Sequence, residues 1–354
     1  MEAVGRVVDD EFVEFVRYAR DVPYNPPPRK YLRDGDNPLE CFSDEEFVKR
    51  FRFTKETVIG TIVPLVAADN GDKRGLPVPA IVKVTTALRF YGSNSFQIVC
   101  GDLIHLNQAT VSRIIKVTSN ELAGHLLQYA HFPGPGGIRS NQRKFYDLGE
   151  FPGVTGCIDC THICISNPGG QFPELYRNRK QYMSLNVQVV AGPNLEIMDI
   201  VTRWPGSTHD ARIFSNSRVM VRFENQGLPG ILLGDNGYPQ LPFLYTPVLV
   251  PTTAAEIRYN LAHRRTRNIV ERLFGVWKRR FACLGQKLRT KLATSNKVIL
   301  ACAVLHNIAV QHEEPLPPPV EELRVLPIVP VANLRPRNHR GAAMRAMFIE
   351  RHFV

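Results

Sequence analysis

Three acidic residues occupy positions where a carboxylate needs a partner. Asp159 lies within the apolar, β-branched stretch VTGCIDCTHICI, Asp235 follows the apolar stretch GILLG, and Glu271 lies within NIVERLFGVWKRRF. Acidic residues are disfavoured in strands and cost free energy when they are buried unpaired. Carboxylate oxygens are preferred ligands of Mg²⁺ and Mn²⁺. We therefore treat Asp159, Asp235 and Glu271 as candidate catalytic residues and metal ligands.

Such a set would support phosphodiester cleavage. Two Mg²⁺ or Mn²⁺ ions held about 3.5–4 Å apart by carboxylates activate a water or a 3′-hydroxyl and stabilise the leaving oxygen. Asp210, in PGSTHD, is a candidate auxiliary metal ligand. The first turn of a helix also favours a carboxylate through the helix dipole, which is the alternative explanation for Asp210.

Each of the other three carboxylates also has an ordinary structural explanation. Asp159 could be hydrogen-bonded to a loop at the edge of the sheet, and the Asp-Asn-Gly sequence that starts at Asp235 is a common turn signal. Glu271 has Arg267 and Lys278 at helical spacing, so an ion pair on the helix surface is the alternative there.

The segment that contains Asp159 predicts the central strand of an α/β domain. Side chains alternate between the two faces of a strand. One face therefore carries Cys157, Asp159, Thr161, Ile163 and Ile165, and the other carries Ile158, Cys160, His162 and Cys164. Asp159 and Cys160 should therefore contact elements on opposite faces of the sheet.

The segments that follow predict the elements that position the remaining carboxylates. SLNVQVVAGP and LEIMDIVTRW are joined by a Gly-Pro-Asn turn, which favours an antiparallel hairpin. A loop and helix, the short strand before Asp235, a long helix over residues 260–284 and an apolar helix over residues 294–312 come next. The acidic residues fall at the ends of elements in this βββαβα order, where ligands bind in α/β sheets.

The preceding region predicts helices, including a helix-turn-helix. Residues 95–122 give a short helix, a turn near residues 105–107 and a longer helix from about Gln108. Its apolar positions, Val111, Ile114, Ile115 and Leu122, can pack inward. Gln108, Thr110, Arg113 and Lys116 are then candidate DNA-binding residues, because they project from the N-terminal half of the second helix. A purely structural three-helix bundle is the alternative.

The charge of the chain predicts an acidic partner. The 354 residues carry a net charge of +11 with a pI near 9.4, which indicates nucleic acid or, alternatively, an anionic membrane surface. Lys and Arg occupy twelve positions within residues 256–297 against two Glu. Arg264, Arg267 and Lys278 lie on one helix flank with Glu271, so we expect them to bind DNA phosphates.

Several other classes are disfavoured by the sequence. No run of apolar residues approaches membrane-spanning length, and the acidic N-terminal residues MEAVGRVVDDEF do not resemble a signal peptide. Seven cysteines at irregular spacing do not suggest a disulfide framework. A zinc site at Cys157, Cys160 and Cys164 is disfavoured because the first two would point to opposite faces of the strand.

The blocks CIDCTHI, RWPGSTHDARIF, GDNGY, NIVERLFGVWKRRF and AVLHNIAV resemble those of the PIF/Harbinger superfamily of transposases, and in particular the Harbinger transposase-derived nucleases of animals. The resemblance covers residues 40–312. It implies an RNase H-like fold with a DDE triad at Asp159, Asp235 and Glu271, and Asp210 as a further acidic position near the metal. Cys160 departs from the Gly that often follows the first Asp in the family.

The resemblance and the patterns together predict four parts. These are a flexible arm (1–40), a helical region with the helix-turn-helix (41–145), an RNase H-like DDE endonuclease domain of mixed sheet and flanking helices (146–312), and a Pro-rich linker with a basic tail (313–354). The expected function is divalent-metal-dependent DNA cleavage. The alternative is a domesticated DNA-binding or scaffold protein that keeps the fold without cleaving.

The resemblance also implies partners and a compartment. The family often acts with a separate Myb-like DNA-binding protein, which predicts such a partner and a nuclear location, also with a cytoplasmic pool. A homodimer is expected from function, because a transposase holds two DNA ends together.

Overall fold

A five-stranded mixed sheet positions the candidate ligands. Its strands are β1 (Val154–Cys164), β2 (Ser184–Ala191), β3 (Ile197–Pro205), β4 (Ile231–Leu233) and β5 (Leu244–Tyr245). They lie in the order β3-β2-β1-β4-β5, with β1–β2 and β2–β3 antiparallel and β1–β4 and β4–β5 parallel. The predicted hairpin is the β2–β3 pair. β5 lies in the Pro-rich segment 239–251, where the sequence does not predict a strand.

The computed structural model describes residues 37–66, 78–102, 106–225, 227–317 and 338–354. These belong to the unit Asp36–Val354. Most of the predicted N-terminal arm, residues 103–105 at the start of the predicted helix-turn-helix turn and most of the Pro-rich linker lie outside the described residues. Of the arm, residues 38–40 belong to a short helix, Pro38–Cys41.

The helical region precedes the sheet. Its helices are α1 (Pro38–Cys41), α2 (Asp44–Phe51), α3 (Lys55–Thr57), α4 (Val63–Val66), α5 (Ala80–Ser93), α6 (Gln97–Asp102), α7 (Gln108–Gly124), α8 (Leu126–Tyr129) and α9 (Pro135–Gly149), with a π-helical turn at Val58–Ile62 between α3 and α4. Pro64 lies within α4. Most of the Gly- and Pro-rich segment 132–144 belongs to α9, which begins at Pro135, because Pro is favoured at the first position of a helix.

The inward face of α7 agrees with the sequence pattern. Val111, Ile114, Ile115 and Leu122 are all buried. Asn107 caps the helix by accepting a hydrogen bond from the Thr110 N–H at 2.8 Å. Between α6 and α7, the Leu106 N–H donates to the Gly101 carbonyl at 3.0 Å.

The helices after the hairpin are α10 (Asp210–Ser215), α11 (Arg218–Glu224), α12 (Ala254–Arg280), α13 (Ala282–Gly285), α14 (Leu292–Gln311) and α15 (His339–His352). α12 begins six residues earlier than predicted. Thr253 and Glu256 form a capping box at its start, a local signal that marks this boundary in the sequence. The loop and single helix predicted within residues 205–225 are a loop followed by two helices, α10 and α11, which are separated at Asn216 and Ser217.

Helices cover both faces of the sheet. Ile158 of β1 packs with Phe214 and Val219 of α10 and α11 on one face, together with Val190 and Leu232 of the neighbouring strands. On the other face β1 contacts α9 and α12. This arrangement confirms the predicted mixed α/β class.

α14 corrects the prediction that no segment approaches membrane-spanning length. Leu292–Gln311 has 20 residues with a mean hydropathy of 1.3, enough to cross a membrane by length and composition. However, 67% of that window is buried within the protein, where α14 packs against α7 and β3. Its apolarity is therefore explained by a position in the core.

Two polar residues of α14 fix it to β3. The Asn307 side chain accepts from the Ile197 N–H at 2.8 Å and donates to the Ile197 carbonyl at 2.7 Å and the Tyr129 carbonyl at 2.8 Å. His306 bonds the Leu195 carbonyl through Nε2 at 2.7 Å. The His-Asn pair of AVLHNIAV thus satisfies backbone groups where β3 begins.

The last residues form a packed helix where the sequence suggests only a basic tail. Phe348 of α15 stacks on Phe151 and meets Tyr245 edge-on, while Phe353 packs against Tyr259. Arg258 donates two hydrogen bonds to the Phe353 carbonyl, at 2.8 and 2.5 Å. The aromatic spacing, rather than the basic composition, decides the structure here, because the rings remove apolar surface from water.

Candidate active site

Asp159 points at α12, as the strand alternation predicts. On the same face, the Cys157 thiol contacts the Thr266 carbonyl at 3.6 Å and the Thr161 hydroxyl accepts from Lys278 Nζ at 2.7 Å. Asp159 Oδ2 accepts a hydrogen bond from Arg267 of α12 at 2.9 Å. One helix therefore lines the strand face that carries the first candidate carboxylate.

Arg267 links Asp159 to Glu271. One guanidinium nitrogen bonds Asp159, and the other bonds Glu271 one turn further along α12, so one cation serves two candidate catalytic carboxylates. The Asp159 and Arg267 side chains are each 18% exposed, while Glu271 is 54% exposed. The proposed surface ion pair of Glu271 with Arg267 exists, and its arginine also reaches Asp159.

Asp210 and Asp235 lie next to each other across Gly237. A Cβ added to Gly237 would stand 2.8 Å from Asp235 Oδ1 and 3.4 Å from Asp210 Oδ2. The Gly237 N–H donates to Asp235 Oδ1 at 2.8 Å, which closes the predicted turn. Asp210 Oδ1 accepts from the Asn186 amide at 2.9 Å. A side chain at position 237 would therefore press on both carboxylates.

The electrostatics of Asp159 connect it to the same pair. Burial is the largest cause and raises the pKa of Asp159 to about 7, although the Arg267 guanidinium opposes this increase. The charges of Asp235 and Asp210 raise this pKa further. Asp159 therefore lies within electrostatic range of both Asp210 and Asp235.

The opposite face of β1 carries Cys160 against Tyr238. The Cys160 thiol and the Tyr238 hydroxyl are 3.2 Å apart. Burial raises the pKa of both groups, and the nearby Asp210 charge acts in the same direction. Cys157 and Cys160 do point to opposite faces, which was the geometric argument against a shared zinc site.

Lys278 of α12 contacts β1 two residues beyond Asp159. Its amine donates to the Thr161 hydroxyl and to the His162 carbonyl, at 2.7 and 3.1 Å. Burial lowers the pKa of Lys278 to about 8, and the charge of Lys180 contributes. The amine is thus directed to the end of β1 rather than into open solvent.

The remaining predicted DNA-binding residues are distributed over two surfaces. On α7, Gln108, Arg113 and Lys116 are exposed and Thr110 is half-buried; on α12, Arg264 is exposed. Arg267 is instead half-buried between the two carboxylates.

Asp159, Asp210 and Asp235 supply the hard carboxylate oxygens that Mg²⁺ and Mn²⁺ prefer, so the donor chemistry fits a divalent cation. Within the described ranges, however, no three His, Cys, Asp or Glu side chains are grouped so that they could hold one metal ion. The Arg267 guanidinium contacts Asp159 Oδ2, so a cation that used this oxygen would replace it.

Two residues of the site were not predicted from the sequence. Asn186 of β2 bonds both Asp210 and the Thr208 carbonyl, and Tyr238 covers Cys160. Two amides, Asn186 and Gln188, interrupt the strand SLNVQVVA, and this was the available signal for Asn186, because a buried amide needs partners. Tyr238 gives no comparable signal, since apolar burial alone explains a tyrosine after a turn.

The chain contains a DDE-type endonuclease domain. The family described as "DDE superfamily endonuclease" matches residues 158–307. The five-stranded mixed sheet with its flanking helices is accordingly of the RNase H-like class.

Similar proteins narrow the class further. The chain is 34% identical over 296 residues to the rat protein "Putative nuclease HARBI1", covering 80% of this chain and 84% of that protein. The human counterpart is 33% identical over 296 residues with the same coverage, and the Xenopus laevis counterpart is 30% identical over 322 residues, covering 89% and 92%. No solved structure matches the chain. The chain belongs to the family of Harbinger-derived nucleases.

Proposed function

We propose that this protein is a divalent-metal-dependent DNA endonuclease that cleaves phosphodiesters through a DDE site. The observation that supports this most directly is that Asp210 and Asp235 flank Gly237 and their charges act on the buried Asp159, although the three residues come from β1, the start of α10 and the turn after β4. A buried carboxylate whose pKa is raised by burial and by neighbouring carboxylates is common at functional sites.

Asp159, Asp210 and Asp235 would hold Mg²⁺ or Mn²⁺, with Glu271 as the fourth candidate ligand. Bound divalent cations would activate the attacking water or 3′-hydroxyl and stabilise the leaving oxygen. Asn186 orients Asp210, the Gly237 N–H orients Asp235, and Arg267 holds Asp159 and Glu271 in reach of each other. These contacts fix the oxygen donors before substrate binds.

The basic residues would supply the DNA contacts. We propose that Gln108, Thr110, Arg113 and Lys116 of α7 bind DNA through the helix-turn-helix, and that Arg264, Arg267 and Lys278 of α12 act near the scissile phosphate. Lys278 has two neutral partners and no carboxylate among its hydrogen bonds, so its charge is available to a phosphate that approaches the end of β1.

The test is nicking of supercoiled plasmid DNA in Mg²⁺ or Mn²⁺. We expect Asp159→Asn, Asp235→Asn and Glu271→Gln each to reduce nicking by about 100-fold or more, since each removes a charged ligand. Asp199→Asn is the matched control, because Asp199 on β3 lies outside the site and burial likewise raises its pKa, to about 6. Unchanged thermal unfolding would show that the variants remain folded.

The outcomes separate cleavage from binding alone. Equal loss in Asp199→Asn would mean that the substitutions act through folding and would contradict the site. A wild-type protein that binds DNA but does not nick it, with or without its partner, would favour the DNA-binding or scaffold alternative.

We also propose, from the charge and the family, that the protein works with DNA and a Myb-like DNA-binding protein, as a homodimer, without binding membranes. The proposed location is the nucleus, with a cytoplasmic pool. Light scattering of the DNA-bound protein measures the dimer, and a monomeric complex would contradict it.

A further inference from the structure

A second basic surface lies beyond the end of β1, away from the acidic residues. The segment Gln286–Lys291 follows α13 and pairs with the chain just after β1 through one bridge, between Leu288 and Ile165. Its Lys287, Arg289 and Lys291 side chains are exposed, while Leu288 is fully buried. Lys287 and Arg289 flank the buried Leu288, and Lys291 is exposed directly before α14, so one short segment presents three cations to solvent.

The backbone of this segment is firmly held. The Leu288 N–H donates to the Cys164 carbonyl at 2.9 Å, and the Leu288 carbonyl accepts from the Ser166 N–H at 2.9 Å. The Asn94 amide, at the end of α5, donates to the Lys287 carbonyl at 3.2 Å. The backbone that carries the three cations is therefore hydrogen-bonded both to the sheet and to the helical region.

The three cations lack acidic partners. None of the salt bridges among residues 37–66, 78–102, 106–225, 227–317 and 338–354 involves Lys287, Arg289 or Lys291. The sequence contains no Asp or Glu anywhere in residues 272–312. Unneutralised charges this close together repel one another, which favours binding of an external polyanion.

Arg289 is also held by an aromatic ring. Its guanidinium lies 4.6 Å from the centroid of the Phe96 ring, and Phe96 is 61% exposed. Stacking fixes the guanidinium plane and leaves its N–H edge available for bidentate phosphate binding. Phe96 stands directly before α6, the first helix of the predicted helix-turn-helix, so this pair joins the basic segment to that motif.

The positions of these cations along β1 would allow one continuous DNA duplex to contact them. A strand rises about 3.3 Å per residue, so the Cys164 end of β1 lies roughly 16 Å from Asp159, or about half a turn of B-DNA. Lys278 contacts Thr161 and His162 between these two points. Cations thus follow β1 from the acidic site outward to α6.

We propose that Lys287, Arg289 and Lys291 form a DNA-backbone binding surface that carries the duplex from the acidic site to the helix-turn-helix. The proposal rests on the proposed DNA-cleaving function and adds the route of the DNA. It predicts binding that does not depend on base sequence, because these cations would contact phosphates rather than base edges.

The test is metal-free binding of a fluorescent duplex, measured by anisotropy in EDTA across a salt series. Lys287→Gln, Arg289→Gln and Lys291→Gln combined should weaken binding about tenfold or more at 0.1 M salt and lower the slope of log K against log salt by about 2 to 3. The charge-preserving combination Lys287→Arg, Arg289→Lys and Lys291→Arg should retain most of the affinity.

A matched control removes three exposed cations elsewhere, by Lys49→Gln, Arg340→Gln and Arg351→Gln. Equal weakening in both sets would show a general charge effect and overturn the surface, as would wild-type affinity in the first set. Loss of binding to anionic vesicles with DNA binding intact would assign the surface to membranes and also overturn it. If wild type binds no duplex at all, the proposed function fails as well.

Discussion

At the scale of single residues, Arg267 connects two of the candidate ligands. Its two bonds place one guanidinium between the half-buried Asp159 and the exposed Glu271. A half-buried carboxylate would otherwise lose solvation without compensation. The residue that the sequence suggests as a phosphate contact therefore serves as the counter-ion of Asp159.

Buried histidines give a pH dependence of stability at the same scale. Burial lowers the pKa of His306 to about 4, whereas an unfolded histidine titrates near 6.5. The unfolded state then binds more protons between these values, so the contribution of His306 to stability falls as pH falls from about 6.5 to 4. Asp159 and Asp199 act in the opposite direction, because burial raises their pKa values to about 7 and 6.

The comparison of wild type with His306→Gln isolates the histidine. Gln retains an N–H donor toward the Leu195 carbonyl but does not titrate. We therefore expect the difference in unfolding free energy between wild type and His306→Gln to decrease by about 1 kcal/mol between pH 7.5 and 5.5. Urea unfolding at the two pH values measures the gap. A constant gap, matching that of the exposed control His131→Gln, would contradict the assignment.

At the scale of elements, α15 is a structural part of the domain. It covers Phe151, Tyr245 and Tyr259 with two phenylalanines, and Arg345 donates to the Thr246 and Pro247 carbonyls at 3.0 and 3.1 Å. Gly341 also approaches Gln240 so closely that an added Cβ would stand 2.4 Å from the Gln240 carbonyl oxygen. The helix thus braces the chain that leads from β4 into β5.

We expect Phe353→Ala to lower the free energy of unfolding by about 2–4 kcal/mol, because it leaves a cavity in this aromatic cluster. Met347→Ala, on the same helix but 69% exposed, should change it by less than about 0.5 kcal/mol. Urea unfolding compares the two. Similar small effects in both variants would mean that α15 is only loosely attached.

At the scale of the whole molecule, the helical region and the sheet share one core. α14 packs against α7 of the helical region and β3 of the sheet, and Trp277 of α12 bonds the Cys302 carbonyl of α14 at 3.0 Å. Elements that depend on the same helix should unfold together.

Coincident unfolding transitions would measure this coupling. In Trp204→Phe the fully buried Trp277 is the remaining tryptophan, so its fluorescence reports the α12–α14 interface. We expect its urea transition to coincide with the loss of helical circular dichroism. Two separated midpoints would show that the helical region unfolds independently.

The sequence by itself determined what depends on short-range pattern. The two-residue alternation of β1 placed Asp159 and Cys160 on opposite faces, helical spacing gave the buried face of α7, and the Asp-Asn-Gly sequence gave the turn after β4. These follow from local geometry, which each segment carries in its own residues. The family blocks predicted which acidic residues form the candidate site.

Only the tertiary structure decided which distant groups meet. Asn186 reaches Asp210 because β2 lies next to β1, and Asp210 meets Asp235 because Gly237 leaves room between α10 and the end of β4. Arg267 bonds Asp159 across 108 residues, and α15 packs on Phe151 across almost 200. Such contacts depend on how the elements are arranged in space, which residue spacing along the chain does not specify.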